Sequence, residues 1–122
     1  MYYNKKIEGI GKRGEKFTAE YLRKNGYIII RTNYSNRYGE VDIIAENEDY
    51  IVFVEVKTRK SDALVSGADS VDIKKVNRIF NLANDFLNKF YTDKPPRFDF
   101  AEVIYNNEIK PDFKLNYIES AF

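Results

Sequence analysis

The residues best suited to chemistry sit in two short runs, Asp42 within GEVDIIA and Glu55 and Lys57 within VFVEVKTR. Both runs are otherwise strand-like and apolar, Val41 to Ala45 and Ile51 to Val56, and the polar turn Glu46-Asn47-Glu48-Asp49 between them reads as a hairpin. Side chains alternate along a strand, so Val52, Val54, Val56 and Thr58 share one face and Ile51, Phe53, Glu55, Lys57 and Arg59 the other. Charges therefore interrupt positions where burial should continue. If the hairpin pairs, Asp42 and Glu55 converge from neighbouring strands, and two carboxylates about 4 Å apart repel by roughly 4 kcal/mol at an effective dielectric of about 20. Protonation would offset that, and so would a divalent cation. Oxygen ligands suit Mg²⁺ or Mn²⁺, and a chain with no Cys and no His lacks the usual ligands of zinc.

The elements that must position these residues follow from periodicity. From Arg13 to Asn25, Thr18, Tyr21 and Leu22 form an apolar stripe at helical spacing, and Asn25-Gly26 is a stop signal. Glu15 falls about 20° from Leu22 on a helical wheel. It can reach over the sheet edge toward Asp42, or serve only as a first-turn acid on the helix dipole. Tyr27 to Arg31, YIIIR, suits a buried strand, and Thr32 to Tyr38, with Arg37, reads as a polar loop, either a plain connection or one able to contact phosphate. Lys60 to Asp69 reads as a second loop, either an inert surface connection or, in a nuclease, a segment folding over substrate with Arg59 and Lys60 facing phosphates. A longer helix is predicted from Ser70 or Asp72, with Val76, Ile79, Phe80, Ala83, Leu87 and Phe90 as its core stripe. Lys74, Lys75 and Arg78 at its start form either a solvated face or a DNA-facing one. Asp93-Lys94-Pro95-Pro96 ends the helical region, Arg97 to Tyr105 alternates as a strand, and Leu115 to Ile118 offers a last edge strand. The fold class is α/β, a mixed central sheet flanked by helices.

A chain of 122 residues, 43% hydrophobic, is expected to form a single domain over 1–122. Its net charge of +1 gives no support by itself to a nucleic-acid partner, although residues 1–78 carry net +3 and 79–122 net −2. The absence of Cys suits a reducing compartment. No apolar signal core or membrane-length stretch is present, so a soluble, cytoplasmic protein is expected.

An Asp followed by a strand ending Glu-x-Lys resembles the core of the PD-(D/E)xK nucleases, the restriction-endonuclease-like fold. More narrowly, Gly14-Glu15, Gly26-Tyr27, Gly39 to Ala45, Val52 to Arg59, Arg97-Phe98-Asp99 and Ala121-Phe122 resemble the YraN family of bacterial proteins, over nearly the whole chain. The spacing of Glu15, Asp42, Glu55 and Lys57 is also similar to that of archaeal Holliday-junction resolvases. The resemblance implies a metal-dependent nuclease hydrolysing phosphodiester bonds in DNA, including branched or junction DNA. Asp42, Glu55 and the Val56 carbonyl would hold Mg²⁺ or Mn²⁺, Glu15 would complete the shell, and Lys57 would orient water or contact the phosphate. It implies DNA as partner, contacted by Arg37, Arg59, Lys60, Lys74 and Lys75. Glu40 and Thr58 would support the site, and a homodimer, as in the resolvases, is one arrangement it suggests. Several nucleases of this fold carry a polar residue, often Gln, on the helix after the Glu-x-Lys strand, where Val76 stands here. The alternative is a non-catalytic module on the same fold that binds nucleic acid or protein. A purely structural reading would pair Glu55 with Lys57 and leave Asp42 as a strand-end cap.

Overall fold

The computed structural model describes residues 9–62 and 73–122. Among these, the elements follow in the expected order: α1 (Ile10–Lys24), β1 (Ile28–Asn36), β2 (Gly39–Glu46), β3 (Ile51–Lys60), α2 (Ile73–Lys89), β4 (Pro96–Tyr105) and β5 (Lys114–Ile118). The N-terminal lead-in, the loop after Asp62 and the helix start expected at Ser70 or Asp72 lie outside the described residues.

The strands form one sheet in the order β1-β2-β3-β4-β5. β1, β2 and β3 make an antiparallel meander, and β5 returns antiparallel to β4. Between them β3 and β4 run parallel, in register from Ile51↔Pro96 to Lys60↔Tyr105. Parallel neighbours cannot be joined by a tight turn, and the connection between these two carries α2. Alternation along β3 then fills two cores. Ile51 and Phe53 pack with Ile79, Leu82, Ala83 and Phe86 of α2, while Val52 and Val54 pack with Ala19 and Leu22 of α1 on the other face. This mixed α/β layering is compatible with a restriction-endonuclease-like fold.

The helices bury slightly different stripes from those expected. In α1 the buried positions are Gly14, Thr18, Ala19 and Leu22. Tyr21 is displaced to the border, 37% exposed, with its ring 5.3 Å from that of Tyr117. Gly26, at φ 88°, takes the left-handed turn that ends the helix. In α2, Leu82 and Phe86 are buried where the expected stripe had Phe80, which is 39% exposed and rests on Phe98 at a ring separation of 4.6 Å.

β1 needs a larger correction. The segment read as a loop from Thr32 continues as strand to Asn36, and only Arg37-Tyr38 turn. Because β1 is a sheet edge, it alternates toward solvent and its polar residues mimic a loop. For the same reason the YIIIR run is not a buried strand, and Ile28 is 68% exposed.

Candidate functional site

β2 and β3 pair regularly from Glu46↔Ile51 to Ile43↔Val54, and there the ladder stops. Asp42 and Glu55 would form the next rung. Instead the Asp42 side chain enters the gap, its Oδ2 accepting the Val56 N–H at 2.7 Å. The strands diverge around a carboxylate, and side-chain alternation breaks with them: Val41 packs on the α2 side although Ile43 and Ala45 face α1.

Helix α1 brings Glu15 to this gap through a close approach. A Cβ on Gly14 would lie 2.1 Å from Thr58 Oγ1, so the helix settles against β3 only because that position has no side chain. Glu15, the next residue, lies within hydrogen-bonding reach of the Asp42 carboxyl. It also accepts a bond from Asn33 Nδ2 at 3.0 Å and faces Lys12 Nζ at 3.6 Å. Asn33 sits in β1 at φ 50°, a left-handed conformation that Asn tolerates better than most side chains, and its side-chain Oδ1 accepts a bond from Lys12 Nζ.

Glu55 faces the other side of the sheet. Its Oε2 lies 2.8 Å from Lys75 Nζ of α2, with the glutamate side chain 17% exposed and the lysine 35%. The Glu55–Lys57 ion pair of the purely structural reading therefore does not form, since the glutamate turns to the helix. Lys57 is exposed on the same strand, with no ion-pair partner among the described residues.

The Asp42 carboxyl is pushed up to about 7, chiefly by burial, with the charges of Glu55 and Glu15 adding to the rise and the Val56 N–H opposing it. As the side chains stand, no group of three His, Cys, Asp or Glu among the described residues is close enough to cage a metal ion. The chemistry of the donors nonetheless suits a hard cation. All are oxygens, and Asp42 sits between like charges with no positive side chain bonded to it among the described residues.

The expected phosphate contacts divide. Arg37, Lys60 and Lys74 are exposed, Arg37 lying 4.8 Å over the Tyr38 ring. With Lys75 they sit where the β1–β2 turn, the end of β3 and the start of α2 share one end of the sheet. Arg59 departs from expectation. It is buried, 8% exposed, with Nε 3.8 Å from Glu102 Oε2, and its Nε and Nη1 make no hydrogen bond. It lies along the sheet instead of facing a surface ligand.

Two clefts flank the strand split. One, of about 410 Å³, runs between α1 and β1 and is lined by Lys12, Glu15, Lys16, Arg23 and Asn33. The other, of about 260 Å³, lies under the start of α2 and is lined by Glu40, Glu55, Lys75, Arg78, Leu82 and Phe122, among others. Sequence reasoning assigned no role to the aromatic side of the second cleft. The signal was the terminal Ala121-Phe122 pair itself.

A model of the uncharacterised protein family UPF0102 matches residues 14–103, most of the chain. The chain belongs to the UPF0102 family. Relatives agree over nearly their full lengths. A UPF0102 protein of Parabacteroides distasonis is 41% identical over 113 residues, covering 93% of this chain and 91% of that one. A UPF0102 protein of Clostridium acetobutylicum is 42% identical over 113 residues, covering 92% of each. One from Clostridium botulinum is 37% identical over 128 residues, covering 100% of this chain and 98% of its own. This is the YraN family whose motifs the sequence resembles. The UPF0102 match opens on Gly14, the residue that seats α1, and takes in Glu15, Asp42, Glu55 and Lys57. The family name states no reaction, so the function has to be argued from the site.

Proposed function

We infer that this UPF0102 protein is a metal-dependent nuclease of the PD-(D/E)xK superfamily that hydrolyses phosphodiester bonds in DNA, branched or junction DNA included. The observation that carries the reading is Asp42. A carboxyl seated at a strand split, among two further carboxylates and with no bonded cation among the described residues, is unfavourable unless a cation arrives from outside. Asp42, Glu55 and the Val56 carbonyl are the groups that would hold Mg²⁺ or Mn²⁺, with Glu15 completing the set. Such an ion supplies a lowered pKa for water and neutralises charge developing on the phosphate.

The chain's own residues do the rest. Val56 N–H holds the Asp42 carboxylate in the gap. Asn33 and Lys12 orient Glu15. Exposed Lys57, on the strand that carries Glu55, contacts the phosphate or orients the attacking water. Lys75 holds Glu55 on the α2 side and has to release it for the carboxylate to turn inward. Arg37, Lys60 and Lys74, exposed at the same end, supply phosphate contacts. A DNA partner, a cytoplasmic setting and a homodimer belong to the same proposal. A second reading, a non-catalytic DNA- or protein-binding module on this fold, is favoured by one observation: Glu55 already has a cation in Lys75.

Calorimetric titration of Mg²⁺ or Mn²⁺ into wild type and Asp42→Asn, followed by incubation with branched DNA, separates the two. The nuclease reading expects binding and cleavage by wild type, both lost in Asp42→Asn, and a drop of about 10²- to 10⁴-fold in cleavage for Lys57→Ala. DNA bound without metal and without cleavage would select the binding module.

A further inference from the structure

The cleft under α2 holds a combination of groups that metal binding alone does not need. Glu40 and Glu55 contribute two carboxylates to the lining. Lys75 and Arg78, one helical turn apart on α2, line the rim. Between them the lining is apolar, from Ile79 and Leu82, 6% and 1% exposed, together with Phe122. Phe122 is brought in by the segment after β5, which is fixed by two of its backbone N–H groups: Ser120 N–H donates to the Asp99 side chain at Oδ1, 3.0 Å away, and Ala121 N–H donates to the Phe98 carbonyl at 2.8 Å.

Two cations at the rim, in a lining that also holds the Glu40 and Glu55 carboxylates, and an apolar, aromatic wall match the two halves of a nucleotide, with the phosphate at Lys75 and Arg78 and the base face against Phe122. The size adds a constraint. About 260 Å³ admits one nucleotide unit but not a stacked base pair, so a base must leave its helix to enter. We propose that this cleft seats a single unpaired nucleotide of the DNA strand, its base stacked on Phe122, next to the phosphate presented to Asp42 and Glu55. The proposal rests on the nuclease reading for its position and makes a definite statement about substrate: the site favours strands with an unpaired base at the cleavage point over continuous duplex. Lys75 joins the two roles, since the group that pairs with Glu55 also faces the incoming phosphate.

The test is photocrosslinking with forked DNA carrying 5-iodouracil at the unpaired positions, bound in EDTA so that no cleavage intervenes, with adducts mapped by mass spectrometry. The expected adduct is at Phe122, with none from the same sequence fully paired. Phe122→Leu, which keeps apolar volume without the ring, should lose the adduct and bind the fork about tenfold more weakly, and Phe122→Ala should behave alike. An adduct elsewhere in the protein, or equal yields from paired and forked DNA, overturns the nucleotide seat and leaves the nuclease reading standing. A Phe122 adduct in a protein that cleaves nothing when Mg²⁺ is added supports the seat and overturns the nuclease reading. Abolition of the adduct by an equimolar free deoxynucleoside monophosphate would assign the cleft to free nucleotide and overturn its assignment to a strand. No binding to any DNA overturns both.

Discussion

Asp42 and Asp99 are both carboxylates set into the sheet, and they are built in opposite ways. Asp99 has no exposed surface and is fully partnered: Arg97 Nε donates to Oδ1 at 2.9 Å and Nη2 to Oδ2 at 2.8 Å, the Tyr117 hydroxyl donates at 2.6 Å, and the Ser120 N–H at 3.0 Å. Arg97 also donates to the Tyr27 hydroxyl at 2.5 Å, which ties the end of α1 to β4. These contacts raise the Arg97 guanidinium, with the Asp99 hydrogen bonds as the main cause, and burial with the bond to Asp99 raises the Tyr117 hydroxyl. Asp42 has one backbone donor and two carboxylate neighbours. A carboxylate placed for structure comes with its counter-charge on the same chain. Among the described residues, Asp42 comes without one.

The sharpest way to break that contrast is to remove a partner. Arg97→Ala should cost about 3–5 kcal/mol in urea unfolding, because Asp99 would keep a buried charge with no cation. A cost below about 1 kcal/mol would reduce the Asp99 network to ornament.

Asp42→Asn should act with the opposite sign. The folded carboxyl titrates near 7 against an ordinary 3.8, so the folded state is favoured by protonation. Stability from this group is fully present below about 4 and is lost as pH rises through 7. In EDTA at pH 8, Asp42→Asn should therefore be about 1–3 kcal/mol more stable than wild type, after discounting for partial exposure, with the gap closing toward pH 4. A destabilised Asp42→Asn at pH 8 would place Asp42 with Asp99 as a structural acid.

Gly14→Ala tests whether the split depends on how α1 is seated. A Cβ at 2.1 Å from Thr58 Oγ1 and 3.2 Å from Thr58 Cβ forces the threonine or the helix to shift, so a loss of about 1–3 kcal/mol is expected, most of it regained in Gly14→Ala/Thr58→Ala. Full additivity of the two changes would show that the contact relaxes elsewhere.

The smallest effect separates Lys75 from Arg97. The Lys75–Glu55 pair is short but partly exposed, and Lys75→Ala should change stability by no more than about 1 kcal/mol. A loss like that of Arg97→Ala would make Lys75 the resident counter-ion of Glu55 and favour the binding-module reading.

The sequence made the hairpin and the element order legible, because each rests on local periodicity, and it left the role of Glu15 open between a reach toward Asp42 and a plain helix acid. It did not show that β2 and β3 part at Asp42, since alternation alone carries the ladder one rung too far. It misread Thr32 to Asn36, whose polar residues reflect an edge position that only the strand order reveals. Arg97 and Asp99 were visible as a motif but not as a buried pair, because the groups that enclose them come from Tyr27, Tyr117 and Ser120, distant in sequence. Arg59 was expected outward for want of any sign that Glu102 would lie beside it.

The parallel pairing of β3 with β4 sets the order of assembly. The β1–β2–β3 meander closes through short turns, Glu46 finding Ile51 across Asn47 to Tyr50, so its loop-closure entropy is small. Ile51 meets Pro96 only after α2 has been traversed, a far more distant closure. The hairpin bearing Asp42 and Glu55 can thus form while Asp99 is still in unfolded chain. On a ribosome the repelling carboxylates emerge first, and the strands that cover the second edge of β3 arrive late, leaving that edge open to pairing with other chains in the interval.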